Sequence, residues 1–397
     1  MSNGVTGRYL HKNICYTDKL RFFMLRLFLN LIFVTAMNPK KIITVVGARP
    51  QFIKCAALSP QLRAYFKEVI VHTGQHYDQN LSDDFFKELN IPAPDYNLNA
   101  NESSGVEQIA DIMVKLNKVV QQEKPSCIIV FGDTNSTAAA AIVAAKNNVK
   151  LAHIEAGMRE FDKSIPEETN KLITDVLSDF YFCPTPTAVQ WLRDMGITQH
   201  VYHSGDIMID LIETLRSKIT GNTAIFERFH LQKNSYVLAT CHRDANTAHA
   251  HNLEEILKAL TQIELPVLLP LHPRTLKAIK QFGLAHYVNK GNLITCEPLG
   301  YTDTQALMMH AYAVITDSGG VTKECYYHGV PGILTDKQTE WIETVQEGWN
   351  IQAGPDAQKI MHAYTHLKRP SQRGSVLGNA NASRQIAQIL NDLLNQS

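Results

Sequence analysis

Short apolar runs rich in Val and Ile recur along most of this 397-residue chain, and stretches of helical length separate them. The candidate strands are Ile42–Val46, Val69–His72, Ile128–Phe131, Leu151–Ile154, Tyr181–Phe182, Tyr236–Ala239, Val267–Leu271, Leu293–Thr295, Ala313–Ile315 and Gly332–Leu334. Val106–Gln122 has apolar residues at helical spacing and Ser136–Asn147 is rich in alanine, so both segments are predicted helices. Such alternation is typical of βαβ units. The sequence therefore predicts an α/β fold with parallel sheets.

The rhythm of strands and helices repeats in the second half of the chain, whose length suits two domains. We predict a first Rossmann-like domain over residues 40–205 and a second over 206–375, with the boundary near Gly205–Leu211. Residues 376–397 contain a predicted helix, about Asn381–Asn395, that packs back on the first domain. Two such halves facing each other would place the ligand in the cleft between them.

Residues 1–39 differ from the rest of the chain and are predicted to lie outside the fold. Phe22–Ala36 is apolar but contains Arg26 and Asn30, and it is shorter than the roughly 20 residues that a membrane span needs. The basic residues before it also fit a secretory signal peptide. Met37 looks like a natural start, so we favour an extension from an upstream start codon or a loosely held segment, with no stable membrane insertion.

Composition argues against several classes of partner. Lys+Arg and Asp+Glu both number 38, so the net charge does not indicate a nucleic-acid partner. The seven cysteines form no C-x-x-C pair, and several lie in apolar runs, which suits reduced thiols and a cytoplasmic location. A catalytic thiol at Cys241 or Cys325 is an alternative that the sequence leaves open.

Polar residues follow almost every predicted strand, where open parallel sheets bind their ligands. The candidate site residues at these strand ends are Arg49, Asp133, Glu155, His242, Arg243 and His272, with Lys54 on the first helix. Arg243 and His272 are predicted to contact the substrate. We therefore expect a polar, catalytic cleft.

Residues 315–324, Ile-Thr-Asp-Ser-Gly-Gly-Val-Thr-Lys-Glu, read as a strand end, a sharp turn and the start of a helix. Ser318 lies at the N-cap position, and Gly319 and Gly320 allow a ligand to approach the backbone closely. The free N–H groups at a helix start bind anions. Glu324 follows one turn later and can accept hydrogen bonds from a ribose diol, so the segment predicts a nucleotide-diphosphate site.

Other common nucleotide and metal sites have no match in the sequence. There is neither a G-x-G-x-x-G nor a G-x-x-x-x-G-K-[ST] segment, and no His or Glu pair has a local zinc spacing. We expect no cofactor and no metal. A nucleotide-sugar site remains, with Arg49 and the Ser318–Gly320 turn holding two phosphates. Asp133, Glu155 and Glu167 would be its acid and base groups.

Each of these residues also has a structural interpretation. Asp133 can cap the next helix, and Glu155 can pair with Arg159 or with Lys54. Glu167 lies in a first helical turn, where a carboxylate is favourable in any protein. His242 can be an ordinary hydrogen-bonding residue at a strand end.

Seven motifs resemble those of the non-hydrolysing UDP-N-acetylglucosamine 2-epimerase family, in order from about Lys41 to Asn350. They are GARPQFIK, TGQH, GDTNST, HIEAGMR, PEETNK, TCHR and TDSGGVTKE. The resemblance implies a GT-B arrangement of two Rossmann-like domains, a homodimer, and inversion of C2 of a UDP-2-acetamido sugar for surface polysaccharide. It also implies active-site roles for Arg49, Lys54, Asp133, Glu155, Glu167 and His242, and UDP binding by Ser318, Gly319, Gly320 and Glu324.

Two departures from the better-known members affect the expected substrate. Residues 339–343 read Thr-Glu-Trp-Ile-Glu where those members have an Arg-Pro pair, so an arginine near UDP is missing. Tyr77–Asn80 also departs from the members that their own substrate regulates. Both features resemble the branch that includes epimerases of UDP-2,3-diacetamido-2,3-dideoxy-glucuronate. The remaining alternatives are a hydrolysing 2-epimerase, a GT-B glycosyltransferase and a non-catalytic UDP-sugar sensor.

Overall fold

A computed structural model describes residues 39–74, 88–89, 91–100, 102 and 104–396. In the first half, the strands are β1 (Lys41–Val46), β2 (Lys67–His72), β3 (Tyr96–Asn97), β4 (Cys127–Phe131), β5 (Lys150–Ile154), β6 (Phe180–Cys183) and β7 (Val201–His203). Its helices are α1 (Arg49–Leu62), α2 (Gly105–Glu123), α3 (Asn135–Lys146), α4 (Pro166–Leu177) and α5 (Pro186–Asp194). Apart from Pro39, the predicted N-terminal extension lies outside the described residues, and so does Tyr77–Asn80.

The second half follows the same alternation. Its strands are β8 (Val237–Thr240), β9 (Val267–Pro270), β10 (Leu293–Cys296), β11 (Ala313–Thr316), β12 (Gly332–Leu334) and β13 (Asn350–Gln352). Its helices are α6 (Ile207–Thr214), α7 (Arg216–Gly221), α8 (Ala224–Arg228), α9 (Asp244–Thr247), α10 (Ala250–Gln262), α11 (Pro273–Gln281), α12 (Tyr301–Met309), α13 (Gly319–His328), α14 (Ile342–Gln346), α15 (Ala357–Thr365) and α16 (Ala382–Gln396), with a 3₁₀ turn at Ala285–Tyr287.

Each half builds one parallel sheet. The first has the order β3-β2-β1-β4-β5-β6-β7 and the second β10-β9-β8-β11-β12-β13. Residue pairing is parallel throughout both sheets. All five residues of β4 are buried, as expected for a central strand covered by helices on both faces. The predicted α/β fold of two Rossmann-like sheets is confirmed.

The ten predicted strands lie within two residues of strands in the structure, as do the helices predicted over 106–122, 136–147 and 381–395. Strands β3, β7 and β13 were missed because each has only two or three residues and includes a polar residue, unlike the similarly short apolar β12. Such short edge strands are too brief to show a hydrophobic pattern.

The chain returns to the first half at its end. Helix α16 lies against α1, where the Tyr65 hydroxyl donates a hydrogen bond to Gln388 Oε1 at 2.8 Å. Near the predicted domain boundary, the Asp206 N–H donates to the Leu377 carbonyl oxygen at 2.9 Å. The exact domain limits stay a prediction. In the part of the chain that the structure describes, no helix is both long and apolar enough to cross a membrane.

Candidate active site

The candidate residues gather where the strand order of each sheet reverses. In the first sheet the reversal lies between β1 and β4, and in the second it lies between β8 and β11. A crevice opens at such a point beyond the carboxyl ends of the strands. Arg49 and Asp133 follow β1 and β4, whereas His242 and the Ser318 turn follow β8 and β11.

A buried glutamine fixes the turn that carries Arg49. Gln51 Oε1 accepts hydrogen bonds from the N–H groups of Gly47 and Ala48 at 2.8 and 3.1 Å. The guanidinium of Arg49 then reaches the second half, where it donates to the Leu299 carbonyl oxygen at 3.4 Å. Desolvation lowers its pKa to about 10, so Arg49 remains a cation at neutral pH.

Glu155 lies between two lysines that come from different halves. Lys54 on α1 forms an ion pair with it, and Lys323 on α13 lies 3.4 Å from the same carboxylate oxygen. Burial opposes ionisation of this carboxyl group, but Lys323 and Lys54 hold its pKa at about 2. Its backbone has φ of 68°, a left-handed conformation that non-glycine residues rarely adopt. Of the two structural partners proposed for Glu155, the structure gives Lys54.

Arg159 pairs with a different acid. Asp175 is fully buried, and its two carboxylate oxygens lie 2.6 Å from Arg159 Nη2 and 2.6 Å from His153 Nδ1. Asp175 also accepts a hydrogen bond from the Gly157 N–H at 3.2 Å. This cluster supports the loop after β5 and so positions Glu155 at its start.

Asp133 follows β4 but does not cap the next helix. The N-cap of α3 is Thr134, whose hydroxyl accepts from the Thr137 N–H at 3.4 Å. Asp133 faces Lys171, 3.7 Å away, and Lys171 in turn pairs with Glu340 of the second half at 2.5 Å. Desolvation raises the pKa of Asp133, against the opposing charge of Lys171. The two carboxyl groups at positions 133 and 155 thus have opposite pKa shifts.

Glu167 is exposed in the first turn of α4. Its neighbour Glu168 is buried and accepts a hydrogen bond from the Glu160 N–H at 2.8 Å. The contacts seen for Asp133 and Glu155 therefore do not extend to Glu167, whose catalytic role stays a prediction.

The turn predicted to hold a diphosphate has the expected local structure. Ser318 is the N-cap of α13, and its hydroxyl accepts from the Val321 N–H at 3.4 Å. A Cβ added at Gly319 would lie 3.3 Å from Trp341 Nε1 and 3.5 Å from Arg243 Nη2. Among the described residues, Trp341 Nε1 has no hydrogen-bond partner. Two donors, Trp341 Nε1 and the Arg243 guanidinium, therefore line the space beside Gly319, together with Glu340 Oε1, which would lie 3.6 Å from the same Cβ.

Glu324 lies buried one turn into α13. The Tyr301 hydroxyl donates a hydrogen bond to its Oε1 at 3.2 Å. Burial raises the pKa of Glu324 to about 7. The carboxyl group can therefore act as donor or acceptor near neutral pH, and either form can hydrogen-bond to a diol.

Asp317 organises the loop that carries His242 and Arg243. It is buried and accepts hydrogen bonds from both of their backbone N–H groups, at 2.9–3.0 Å, and from Asn246 Nδ2 at 3.1 Å. The Arg243 side chain reaches Asp336 at 3.0 Å and Glu160 of the first half at 3.4 Å. Desolvation lowers the pKa of His242; Asp317 opposes this shift, and the nearby arginines add to it.

His272 is brought next to His242, with ring centroids 5.5 Å apart, and it caps α11 by accepting from the Arg274 N–H. The two cysteines considered as nucleophiles do not fit that role. Cys241 and Cys325 are buried, and desolvation raises the pKa of both thiols, whereas a reactive cysteine needs a lowered pKa.

A sequence model described as UDP-N-acetylglucosamine 2-epimerase matches residues 60–391. A Methanococcus maripaludis protein named as a homolog of that enzyme is 41% identical over 356 residues, which are 89% of this chain and 100% of the relative. The chain belongs to the UDP-N-acetylglucosamine 2-epimerase family. The GT-B arrangement that this family implies agrees with the two facing parallel sheets.

Two further members of the 2-epimerase family are similar over nearly their whole length. The UDP-2,3-diacetamido-2,3-dideoxy-D-glucuronate 2-epimerase of Pseudomonas aeruginosa is 38% identical, covering 88% of this chain and 99% of the relative. The crystal structure of the Methanocaldococcus jannaschii UDP-GlcNAc 2-epimerase, in complex with UDP-GlcNAc and UDP, has a TM-score of 0.83. It is 33% identical and covers 89% of this chain and 99% of that chain.

Several residues of this 2-epimerase-family site were missed from the sequence. They are Glu160, Lys171, Asp317, Lys323, Asp336 and Glu340. Lys171, Asp317 and Lys323 lie inside the motifs PEETNK and TDSGGVTKE, so their charges were visible. Their partners were not, because none of them is a near neighbour in the sequence and two, Glu340 for Lys171 and Glu155 for Lys323, come from the other half of the chain.

Proposed function

We propose that this protein is a non-hydrolysing UDP-N-acetylglucosamine 2-epimerase, an isomerase that inverts C2 of a UDP-2-acetamido sugar. One observation carries the proposal. Asp133 and Glu155, both from the first sheet, have opposite pKa shifts, and lysines join both to the second half beside the Gly319 turn. An ionised carboxylate beside a carboxyl group whose ionisation is opposed suits proton removal and proton return at one carbon.

The C2 proton of such a sugar is not acidic, because no carbonyl group is adjacent to C2. If the C1–O bond to UDP breaks first, C1 becomes oxocarbenium-like and the C2 proton becomes acidic. Arg49 and the N–H groups of Gly319 and Gly320 stabilise the departing diphosphate. The ionised Glu155 then takes the C2 proton, leaving a 2-acetamido glycal and UDP.

Asp133 completes the inversion from the opposite face. Desolvation raises its pKa, which favours the protonated form, and the proton of that form is delivered to C2 of the glycal. UDP then adds again to C1, and the product is the C2 epimer. Glu155 now holds the proton and Asp133 is ionised, so the reverse reaction starts with the roles exchanged. Lys54 and Lys171 balance these charges.

Proton NMR of UDP-GlcNAc incubated with the protein in D2O tests this function. The expected result is loss of the C2 proton signal and appearance of UDP-ManNAc at equilibrium. Free sugar with UDP would instead identify a hydrolysing enzyme. The proposal would be contradicted if the spectrum stayed unchanged both with UDP-GlcNAc and with UDP-2,3-diacetamido-2,3-dideoxy-glucuronate.

A second substrate is favoured by one feature of the loop before α14. Trp341 takes a position where the better-known members have arginine, and the Pseudomonas relative that acts on the diacetamido uronate is 38% identical. UDP-2,3-diacetamido-2,3-dideoxy-glucuronate is therefore the alternative substrate. A higher kcat/KM for this uronate than for UDP-GlcNAc would assign it.

The wider context is proposed from the family alone. The product would serve as a precursor for surface polysaccharide, and the enzyme would act in the cytoplasm as a homodimer. Light scattering coupled to size-exclusion chromatography tests the dimer, and a single species at the mass of one chain, 44.5 kDa, would exclude it.

Replacing Gly319 by alanine is expected to raise KM for the UDP-sugar about tenfold, equivalent to ~1.4 kcal/mol of binding free energy. The added methyl group would lie 3.3 Å from Trp341 Nε1, in space proposed for a phosphate oxygen. Steady-state kinetics measures the change. Gly221→Ala is the matched control, since its Cβ would meet no atom within 4 Å. An unchanged KM in Gly319→Ala would show that the diphosphate does not bind at this turn.

A further inference from the structure

A buried lysine of the second half reaches across the cleft to the first half. Lys323 is 1% exposed, and its ammonium group lies 2.6 Å from Asp206 and 3.4 Å from Glu155. A buried ammonium group is retained only where charges or dipoles replace its lost hydration. Two carboxylates provide this compensation for Lys323. Asp206 has a structural role as the N-cap of α6, whereas Glu155 faces the cleft.

The indole ring of Trp341 is the third group that contacts the Lys323 ammonium group. The ammonium nitrogen lies 4.4 Å from the ring centroid, and Trp341 is itself 1% exposed. An aromatic face attracts a cation most strongly when both are removed from water. The edge of the same ring, at Nε1, lines the space beside Gly319. Trp341 therefore contacts Lys323 with its face and the candidate diphosphate turn with its edge.

We infer that Lys323, held over the face of Trp341, is a positioning residue that keeps the Glu155 carboxylate charged and oriented toward the substrate. One of the two cations beside this carboxylate thus comes from α13, in the other half of the chain. The inference rests on the proposed function, since it assigns Lys323 a role through Glu155.

Four charged groups act on Glu155 from four elements. Lys54 on α1 and Lys323 on α13 favour its ionised form, whereas Asp133 after β4 and Glu340 before α14 oppose it. Removing Lys323 leaves one cation against two acidic groups and against burial. The pKa of Glu155 then rises, because burial and like charges both favour the neutral carboxyl group.

The test compares kcat between about pH 5 and about pH 8 for the wild type and Lys323→Met. We expect the acid limb of the variant, the fall in kcat as the Glu155 carboxyl group becomes protonated, to lie at higher pH than that of the wild type, with KM changed less than kcat. Lys323→Arg, which keeps the charge, should leave the limb close to that of the wild type. The exposed Lys359→Met is the matched control. Thermal unfolding checks that each variant folds.

A second pair of variants acts on Lys323 without touching Glu155. Trp341→Leu removes the aromatic face and should move the acid limb, whereas Trp341→Phe keeps a ring and should move it less. If Lys323→Met does not fold, the comparison of Trp341→Leu with Trp341→Phe tests the role of Lys323 in its place. If the wild type turns over substrate but the acid limb of its kcat profile does not move in Lys323→Met or Trp341→Leu, the inference is overturned and the proposed function is not. No turnover in the wild type would overturn the proposed function together with the inference.

Discussion

Glu155→Gln is expected to lower kcat by about 10³-fold, within the range that one general base contributes. Glutamine has the shape of glutamate but cannot accept the C2 proton. The substitution also leaves the Lys54 ammonium without its carboxylate partner. Arg49 and the Gly319 turn remain intact, so KM should change much less than kcat.

Two measurements separate this chemical effect from a loss of fold. Steady-state kinetics gives kcat, and exchange of the C2 proton in D2O reports proton removal directly. Both should fall together in Glu155→Gln, while thermal unfolding shows a folded protein. Glu107→Gln, in the exposed first turn of α2, is the matched control and should behave as the wild type. A Glu155→Gln enzyme that kept more than a tenth of wild-type kcat would exclude Glu155 as the base.

Asp175→Asn is expected to lower the free energy of unfolding by about 3–5 kcal/mol, the cost of removing one member of a buried ion pair. Asp175 is fully buried between Arg159 and His153, both 2.6 Å away. Asparagine fits the space but leaves the Arg159 guanidinium buried without its counter-charge. Urea unfolding followed by circular dichroism measures the change.

The effect of Asp175→Asn should depend on pH in a defined direction. Burial opposes ionisation of Asp175, but His153 and Arg159 outweigh it and lower its pKa. Ionised Asp175 therefore stabilises the fold above the ordinary aspartate pKa of ~3.9, and this stabilisation is lost as the pH falls further. The difference between wild type and variant should be full at pH 7 and shrink below about pH 4.

Asp111→Asn is the matched control for this buried pair. Asp111 and Lys115 form a surface ion pair at 2.6 Å, four residues apart on α2. Exposed pairs of this kind contribute ~0–1 kcal/mol. A loss in Asp175→Asn as small as that in Asp111→Asn would mean that the buried cluster does not stabilise the fold.

The sequence predicted the fold and the edge of each sheet that holds the site, because both depend on local patterns. Apolar runs with helices between them determine parallel strands, and parallel strands place their following loops at one edge. Asp133, Glu155 and His242 could be located in this way. Ser318 could be recognised as a helix cap because capping is a property of adjacent residues.

The pairs across the cleft could not be predicted from the sequence. Lys171 and Glu340 are 169 residues apart, and Lys323 and Glu155 are 168 apart. Their contacts depend on the orientation of one half relative to the other, which no local pattern specifies. The opposite pKa shifts of Asp133 and Glu155 follow from the same contacts, so they too required the structure.

The left-handed backbone at Glu155 carries a consequence for engineering this protein. A non-glycine residue held at φ of 68° costs about 1–3 kcal/mol, and glycine would relieve that cost. Glycine would also remove the carboxylate and leave Lys54 and Lys323 buried without their shared counter-charge. That loss costs about 3–5 kcal/mol and outweighs the strain relieved. A library selected only for heat resistance is therefore expected to keep glutamate at position 155, so durability and catalysis depend on the same carboxylate.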